Sequence, residues 1–214
     1  MKTWIKICAT TCIEDALASI EAGADALGFV FAPSMRRVSP EQAQAIVAPL
    51  PANVGRVGVF QNHSVESIVE IVQQVGLTAV QLHGEETADF IAHLTSKLRR
   101  DRRIEIIKTV LINEDFAQRF GAASQDEIGV DAILLDSGAG SGRTFDWDAI
   151  RPLLSSRKRL IVAGGLSPQN VGDAIRKFEP WGVDVVSGVE RGPGRKDPEK
   201  LKAFVAAVRK AEKS

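Results

Sequence analysis

The 214-residue chain is poor in cysteine, with only Cys8 and Cys12. Two thiols do not make a disulfide scaffold in a domain of this size, and a reduced cytoplasmic protein is expected. Cys12, in the loop or at the next helix start, is a poor partner for Cys8. An excess of either charge is also missing, since 27 Lys and Arg balance 27 Asp and Glu. Nothing therefore points to nucleic acid or an anionic membrane surface. Any bound anion must be caught locally, by backbone N–H groups and a few placed side chains. No stretch approaches the ~20 apolar residues of a membrane span. The opening "MKTWIKICATTC" lacks the apolar core of a signal peptide. His63, His83 and His93 show no ligand spacing, and the Cys8–Cys12 pair has no second pair to match it, so no metal is expected. No Gly-x-Gly-x-x-Gly follows the first apolar run, so a dinucleotide fold lacks its best signal and no cofactor is expected.

What the sequence does have is alternation. Short β-branched runs give way repeatedly to helical patterns. The spacing predicts strands at 4–8, 26–31, 55–60, 79–83, 104–110, 131–136, 159–165 and 183–188. Between them it predicts a helix over 13–22 stopped by Gly23, and one with Ser39 as N-cap and Pro40 in first position. A third runs 65–75 between Ser64 and Gly76, and others lie near 87–98, 114–120 and 148–154. A seventh takes Ser167 as cap and Pro168 as first residue, and the last covers about 198–211. "SKLRRDRR" (96–103) reads as the solvated end of the fourth helix. Strands separated by helices run parallel, because a parallel return needs a crossover. Eight such units predict a single-domain (β/α)8 TIM barrel over 1–214, ahead of an open doubly wound sheet.

In such a barrel the chemistry sits at the C-terminal strand ends. There the sequence places Cys8, the loop "SMRRVS" (34–39), His83, Asp136, Gly164 with Gly165, and Ser187 with Gly188. Glycines after the seventh and eighth strands let the backbone approach an oxyanion, which suits a phosphate. A third cluster, "SGAGSGR" (137–143) with Gly140 and Gly142, would cover the same group. Taken singly, each glycine pair reads equally as a turn. Asp136 fits an acid of raised pKa or a loop anchor. Period two puts Lys6 and Cys8 on one strand face. If that face is the barrel interior, Lys6 favours the Cys8 thiolate; the alternatives are a buried hydrophobic thiol and a structural lysine. Arg36 and Arg37 are either a bidentate anion grip or two solvated arginines. His83 reads as a hydrogen-bonding wall residue. Lys108 reads as an ion-pair member ahead of a Schiff-base lysine.

Taken in order, "KICATT", "ADALGFVFAPSMRRVSPEQA", "RVGVF", "VQLHGEE", "ILLDS", "GSGRTFDW", "AGGLSPQNV" and "VDVVSGVERGPGRKD" resemble the signatures of the phosphoribosylanthranilate isomerase family across nearly the whole chain. The resemblance implies an Amadori rearrangement of an aminoaldose to an aminoketose in tryptophan biosynthesis, without a cofactor. It implies Cys8 as general base and Asp136 as general acid. Arg36, from the Ser-x-Arg pattern, would hold the anthranilate carboxylate. Gly164, Gly165, Ser187 and Gly188, with the loop of Gly140 and Gly142, would hold the phosphate, and His83 joins the substrate-binding set. The implied partner is a small sugar phosphate, not nucleic acid or membrane, and the chain would be a monomer or homodimer. Three positions depart from the pattern. Ala9 replaces the usual glycine after the cysteine, at a cost of about 1 kcal/mol or more if φ is positive there. Met35 stands where proline is common, and Arg37 where an aromatic or small residue often sits. Two rival readings are an indole-glycerol-phosphate synthase, which calls for a catalytic lysine, and a sugar-phosphate-binding barrel without catalysis.

Overall fold

The computed structural model describes residues 2–99, 104–112, 129–138 and 158–213. The helices expected near 114–120 and 148–154 lie outside the described residues, as do Gly140 and Gly142.

Eight parallel strands close into a barrel in sequence order. They are β1 (Trp4–Ile7), β2 (Ala26–Val30), β3 (Gly55–Phe60), β4 (Ala79–Leu82), β5 (Glu105–Leu111), β6 (Ala132–Asp136), β7 (Arg159–Ala163) and β8 (Gly182–Val185). Pairing of β1 with β8 completes the ring and sets Lys6 opposite Asp184. The described helices are α1 (Ile13–Ala22), α2 (Pro40–Val47), α3 (Val65–Val75), α4 (Ala88–Leu98), α5 (Val171–Phe178) and α6 (Pro198–Ala211). An antiparallel hairpin of β9 (Glu190–Gly192) and β10 (Arg195–Lys196) lies between β8 and α6.

Local chemistry fixes the helix ends. At α2, Ser39 Oγ accepts from Gln42 N at 3.2 Å, and the Gln42 side chain accepts from Ser39 N at 2.9 Å. This reciprocal pair satisfies two N–H groups that the first turn leaves open. Helix α3 opens on Ser64 and closes on Gly76 at φ +75°. Its Val65, Ile68, Val72 and Val75 are buried at helical spacing, each contributing about 1.5–3 kcal/mol.

Two elements differ from expectation by three residues, the other described ones by two or fewer. Helix α5 begins at Val171, not Pro168. Asn170 ties the preceding turn instead, accepting from Ser167 N at 2.8 Å and donating to Gly165 O at 2.9 Å. Strand β8 stops at Val185, not 188. Val186 leaves the extended region at ψ −86°, and Ser187–Val189 coil into a 3₁₀ turn.

Strand alternation sorts the core into two shells. Ile5 and Ile7 face the helices in the larger outer core. The lower barrel interior is filled by Ala26, Val57, Ala79, Ile107, Ala132, Leu134, Ile161 and Ala163, packed against Trp4 and Trp181. The two indoles stack with centroids 5.0 Å apart at the N-terminal mouth. Toward the other mouth the buried residues turn polar, with Lys6, Gln81, Thr109 and Asp184. This polar layer underlies the candidate site.

Candidate active site

Cys8 lies one residue beyond β1, and its N–H continues the ladder by donating to Val185 O at 2.9 Å. The thiol packs on Gly28 of β2, where a Cβ would sit only 2.5 Å from Sγ. Burial pushes the Cys8 thiol above its ordinary pKa, and the charge of Lys6 opposes this without overcoming it. The expected help from Lys6 is therefore outweighed, and the free protein holds a neutral thiol at neutral pH. Lys6 is fully buried and donates to Asp184 Oδ2 at 3.0 Å. Burial alone would lower the Lys6 pKa, but attraction to Asp184 and Cys8 outweighs it and keeps the ammonium charged. Burial pushes Asp184 upward and the like charge of Asp136 adds to this, against Lys6. The hydrogen bond from the Lys6 ammonium to Oδ2 favours the ionised carboxylate against that upward push. The other Asp184 oxygen, Oδ1, is buried with no hydrogen-bond partner among the described residues. Ala9 takes φ +61°, so this alanine occupies a left-handed position at about 1–2 kcal/mol.

On the far side, β6 ends at Asp136, whose Oδ1 accepts from Gly138 N at 3.0 Å. Gly164 adopts φ +88°, and a Cβ there would come within 2.6 Å of that same oxygen. Glycine at 164 thus makes room for the carboxylate. Gly165 follows at φ +64°. Gly188 meets a different need, since its Cβ would fall 2.0 Å from Leu166 O. The loops after β7 and β8 therefore pack backbone against backbone, with Ser187 opening the turn. His83 follows β4, and its Nδ1 is buried without a hydrogen-bond partner among the described residues. Burial lowers its pKa against the pull of Asp136, leaving a neutral imidazole.

Of the two arginines, Arg36 turns inward and Arg37 is exposed. Arg36 Nε donates to both Glu190 oxygens at 2.9 and 3.1 Å, and Nη2 donates to Oε2 at 2.7 Å. Burial would raise the Glu190 pKa, but Arg36 and Lys196 hold it below the usual carboxylate range. Lys196, 1% exposed, donates to Cys8 O at 2.6 Å and to Glu190 at 3.3 Å. Lys108 is an ion-pair lysine, bonded to Glu86 at 2.7 Å and Gly84 O at 2.6 Å. Sequence reasoning missed Asp184, Glu190 and Lys196. The available signal was a charged residue inside the apolar run "VDVV" and two more in "VERGPGRK". Among the described residues no His, Cys, Asp and Glu cluster is arranged to hold a metal, and no helix is long and apolar enough to cross a membrane.

A closed barrel with ionisable groups gathered at the C-terminal ends of its strands has the layout of a barrel enzyme. Residues 5–207 match the family model for N-(5'phosphoribosyl)anthranilate (PRA) isomerase. The N-(5'-phosphoribosyl)anthranilate isomerase of Thermotoga neapolitana is 44% identical over 206 residues, covering 94% of this chain and 96% of the relative. The crystal structure of phosphoribosyl anthranilate isomerase from Thermotoga maritima superposes with a TM-score of 0.84 at 43% identity, covering 97% of this chain and 99% of that one. A further crystal structure holds the enzyme in complex with reduced 1-(o-carboxyphenylamino)-1-deoxyribulose 5-phosphate. It superposes at TM-score 0.82 with 42% identity and the same coverages, 97% and 99%. The chain belongs to the phosphoribosylanthranilate isomerase family.

Proposed function

We propose that this chain, as a single (β/α)8 domain, isomerises N-(5'-phosphoribosyl)anthranilate by an Amadori rearrangement in tryptophan biosynthesis. The observation that supports the finer reading is that the thiol just past β1 and the carboxylate ending β6 both lie at the C-terminal ends of the barrel strands. A buried thiol after β1 and a carboxylate ending β6 both lie within electrostatic reach of Asp184.

Ring opening needs a proton on a poor leaving oxygen. Asp136 supplies it to the ribose ring oxygen as the C1–O bond breaks. The lone pair of the anilino nitrogen forms the C1=N bond, giving an iminium. That cation acidifies the C2 proton, which the Cys8 thiolate removes, and the electron pair moves to neutralise the nitrogen. The enolamine then tautomerises, its hydroxyl proton leaving and C1 gaining one, to give the aminoketose. A free thiol is only a few per cent ionised at pH 7, and burial reduces this further. The iminium's positive charge beside Cys8 favours the thiolate when the base is needed.

Arg36 would hold the anthranilate carboxylate. Gly164, Gly165, Ser187 and Gly188, with the loop of Gly140 and Gly142, would receive the phosphate. The neutral His83 lines the mouth, and the unpartnered Asp184 Oδ1 suits a ribose hydroxyl. The test is loss of substrate fluorescence on turnover. Cys8→Ala and Asp136→Asn are each expected to lower kcat by roughly 10²–10⁴ while binding of a product analogue survives. Full turnover by both variants would refute these roles.

A further inference from the structure

The hairpin β9–β10 puts more charge beside Cys8 than the chemistry above uses. Lys196 is among the largest fully buried side chains, and lysine is almost never fully buried unless paired. A register irregularity between Arg195 and Lys196 interrupts the hairpin ladder. Such bulges re-aim side chains next to active sites, and here Lys196 turns inward. The hairpin is also lashed to the loop and helix that follow Cys8. Thr11 Oγ1 donates to Gly194 O at 2.6 Å, and Lys196 N donates to Asp15 Oδ2 at 2.9 Å. Gly194 N donates to Glu190 Oε1 at 3.2 Å. Lys196 Nζ then spans two targets, Cys8 O and Glu190.

Arg36 and Lys196 are two cations sharing one anion, Glu190, while Lys6 and Asp184 cancel each other. These five groups sum formally to one positive charge, which Asp136, whose charge reaches Asp184, faces from the end of β6. Glu190 takes Arg36 by its Nε and Nη2 edge, and Nη1 makes no hydrogen bond among the described residues. A planar guanidinium held along one edge presents the remainder in a fixed direction.

We propose that Glu190 and Lys196 are the positioning pair of this site. Glu190 orients Arg36 so that its free edge meets the substrate carboxylate, and Lys196 anchors the Cys8 backbone and sets the charge around its sulfur. This rests on the activity proposed above. Four groups act on the thiol: Lys6 from β1, Asp184 from β8, Lys196 from β10, and Arg36 from the loop after β2.

The test uses two substitutions. Glu190→Gln is expected to raise KM for N-(5'-phosphoribosyl)anthranilate about tenfold, while KM for the N-(5'-phosphoribosyl)aniline analogue, which lacks the carboxylate, stays within about twofold. Lys196→Met, in a Cys12→Ser background, is expected to raise the midpoint of thiolate formation by about one pH unit. The chain has no tyrosine, so ultraviolet thiolate absorbance reads Cys8 without tyrosinate interference. Equal KM changes for both substrates, or an unmoved thiolate midpoint, would overturn the proposal, because a merely structural pair gives those results. If Lys196→Met does not fold, the two-substrate comparison with Glu190→Gln decides. If the parent chain turns over neither ribosyl compound, the proposed activity fails, and the thiolate midpoint then decides the role of Lys196.

Discussion

Replacing Lys6 by Met separates what the polar layer does for stability from what it does for chemistry. The Lys6 and Asp184 side chains are 0% and 7% exposed and meet at 3.0 Å. At an effective dielectric of about 20, that separation corresponds to a gross attraction of about 5–6 kcal/mol. Desolvation of two charges offsets much of this, so the net worth of the pair is small. Removing one partner is another matter, because it strands a buried charge. Lys6→Met is expected to cost about 3–5 kcal/mol, about a fifth or more of a typical domain's stability of about 5–15 kcal/mol. The double variant Lys6→Met/Asp184→Leu leaves no orphan charge, and should return to within about 1 kcal/mol of the parent or exceed it. Urea unfolding followed by tryptophan fluorescence suits the measurement, since Trp4 and Trp181 pack against the barrel interior. With m near 2–3 kcal/mol/M, the single variant's midpoint should fall by about 1–2 M. The stable double variant should be nearly inactive. A double variant as unstable as the single one would refute the reasoning, as would a single variant losing less than about 1 kcal/mol.

Three further outcomes follow from the geometry. Gly28→Ala forces a methyl to within 2.5 Å of the Cys8 sulfur, so it should cost about 1–3 kcal/mol and depress kcat; unchanged kcat would show that the thiol's position is not critical. Ala9→Gly releases about 1–2 kcal/mol of left-handed strain, but loses a buried methyl worth about 0.8 kcal/mol and adds about 0.5–1 kcal/mol of chain entropy; stability should shift by less than about 1 kcal/mol in chemical denaturation, and a larger change would mean the loop had rearranged. Burial opposes ionisation of Glu86, but Lys108 and the Asn62 N–H outweigh it and hold its folded pKa below the ordinary value; its stabilisation is present above about pH 4.5 and is lost as pH falls through the folded value, so Glu86→Gln should flatten the acid limb of stability against pH, and an unchanged limb would contradict the shift.

Much of the barrel was legible because its punctuation is local. Ser64 and Gly76 bracket α3 at the residues expected, and β3 runs over the expected 55–60. Period two on β1 put Lys6 and Cys8 on one face before any contact was known. What could not be read depends on closure. Asp184 acquires its meaning from pairing with Lys6, a partner 178 positions away in sequence. Lys196 turns inward at a hairpin irregularity that no periodicity announces. Gly188 suggested an oxyanion contact, yet the structure also requires it for the close approach of Leu166 O. Ser167 and Pro168 looked like a helix start, but the side chain of Asn170 satisfies the Ser167 N–H and the Gly165 carbonyl outside any helix. The alanine at 9 raised the right question, and its φ of +61° answers it.

The most direct test is a crystal structure of this chain with the reduced product, 1-(o-carboxyphenylamino)-1-deoxyribulose 5-phosphate, bound. The account predicts Cys8 Sγ and an Asp136 oxygen about 3–3.5 Å from the sugar chain, the first at C2 and the second at the oxygen released on ring opening, with the phosphate between the loops after β7 and β8. An analogue seated in the mouth with either group turned away from those atoms would contradict it.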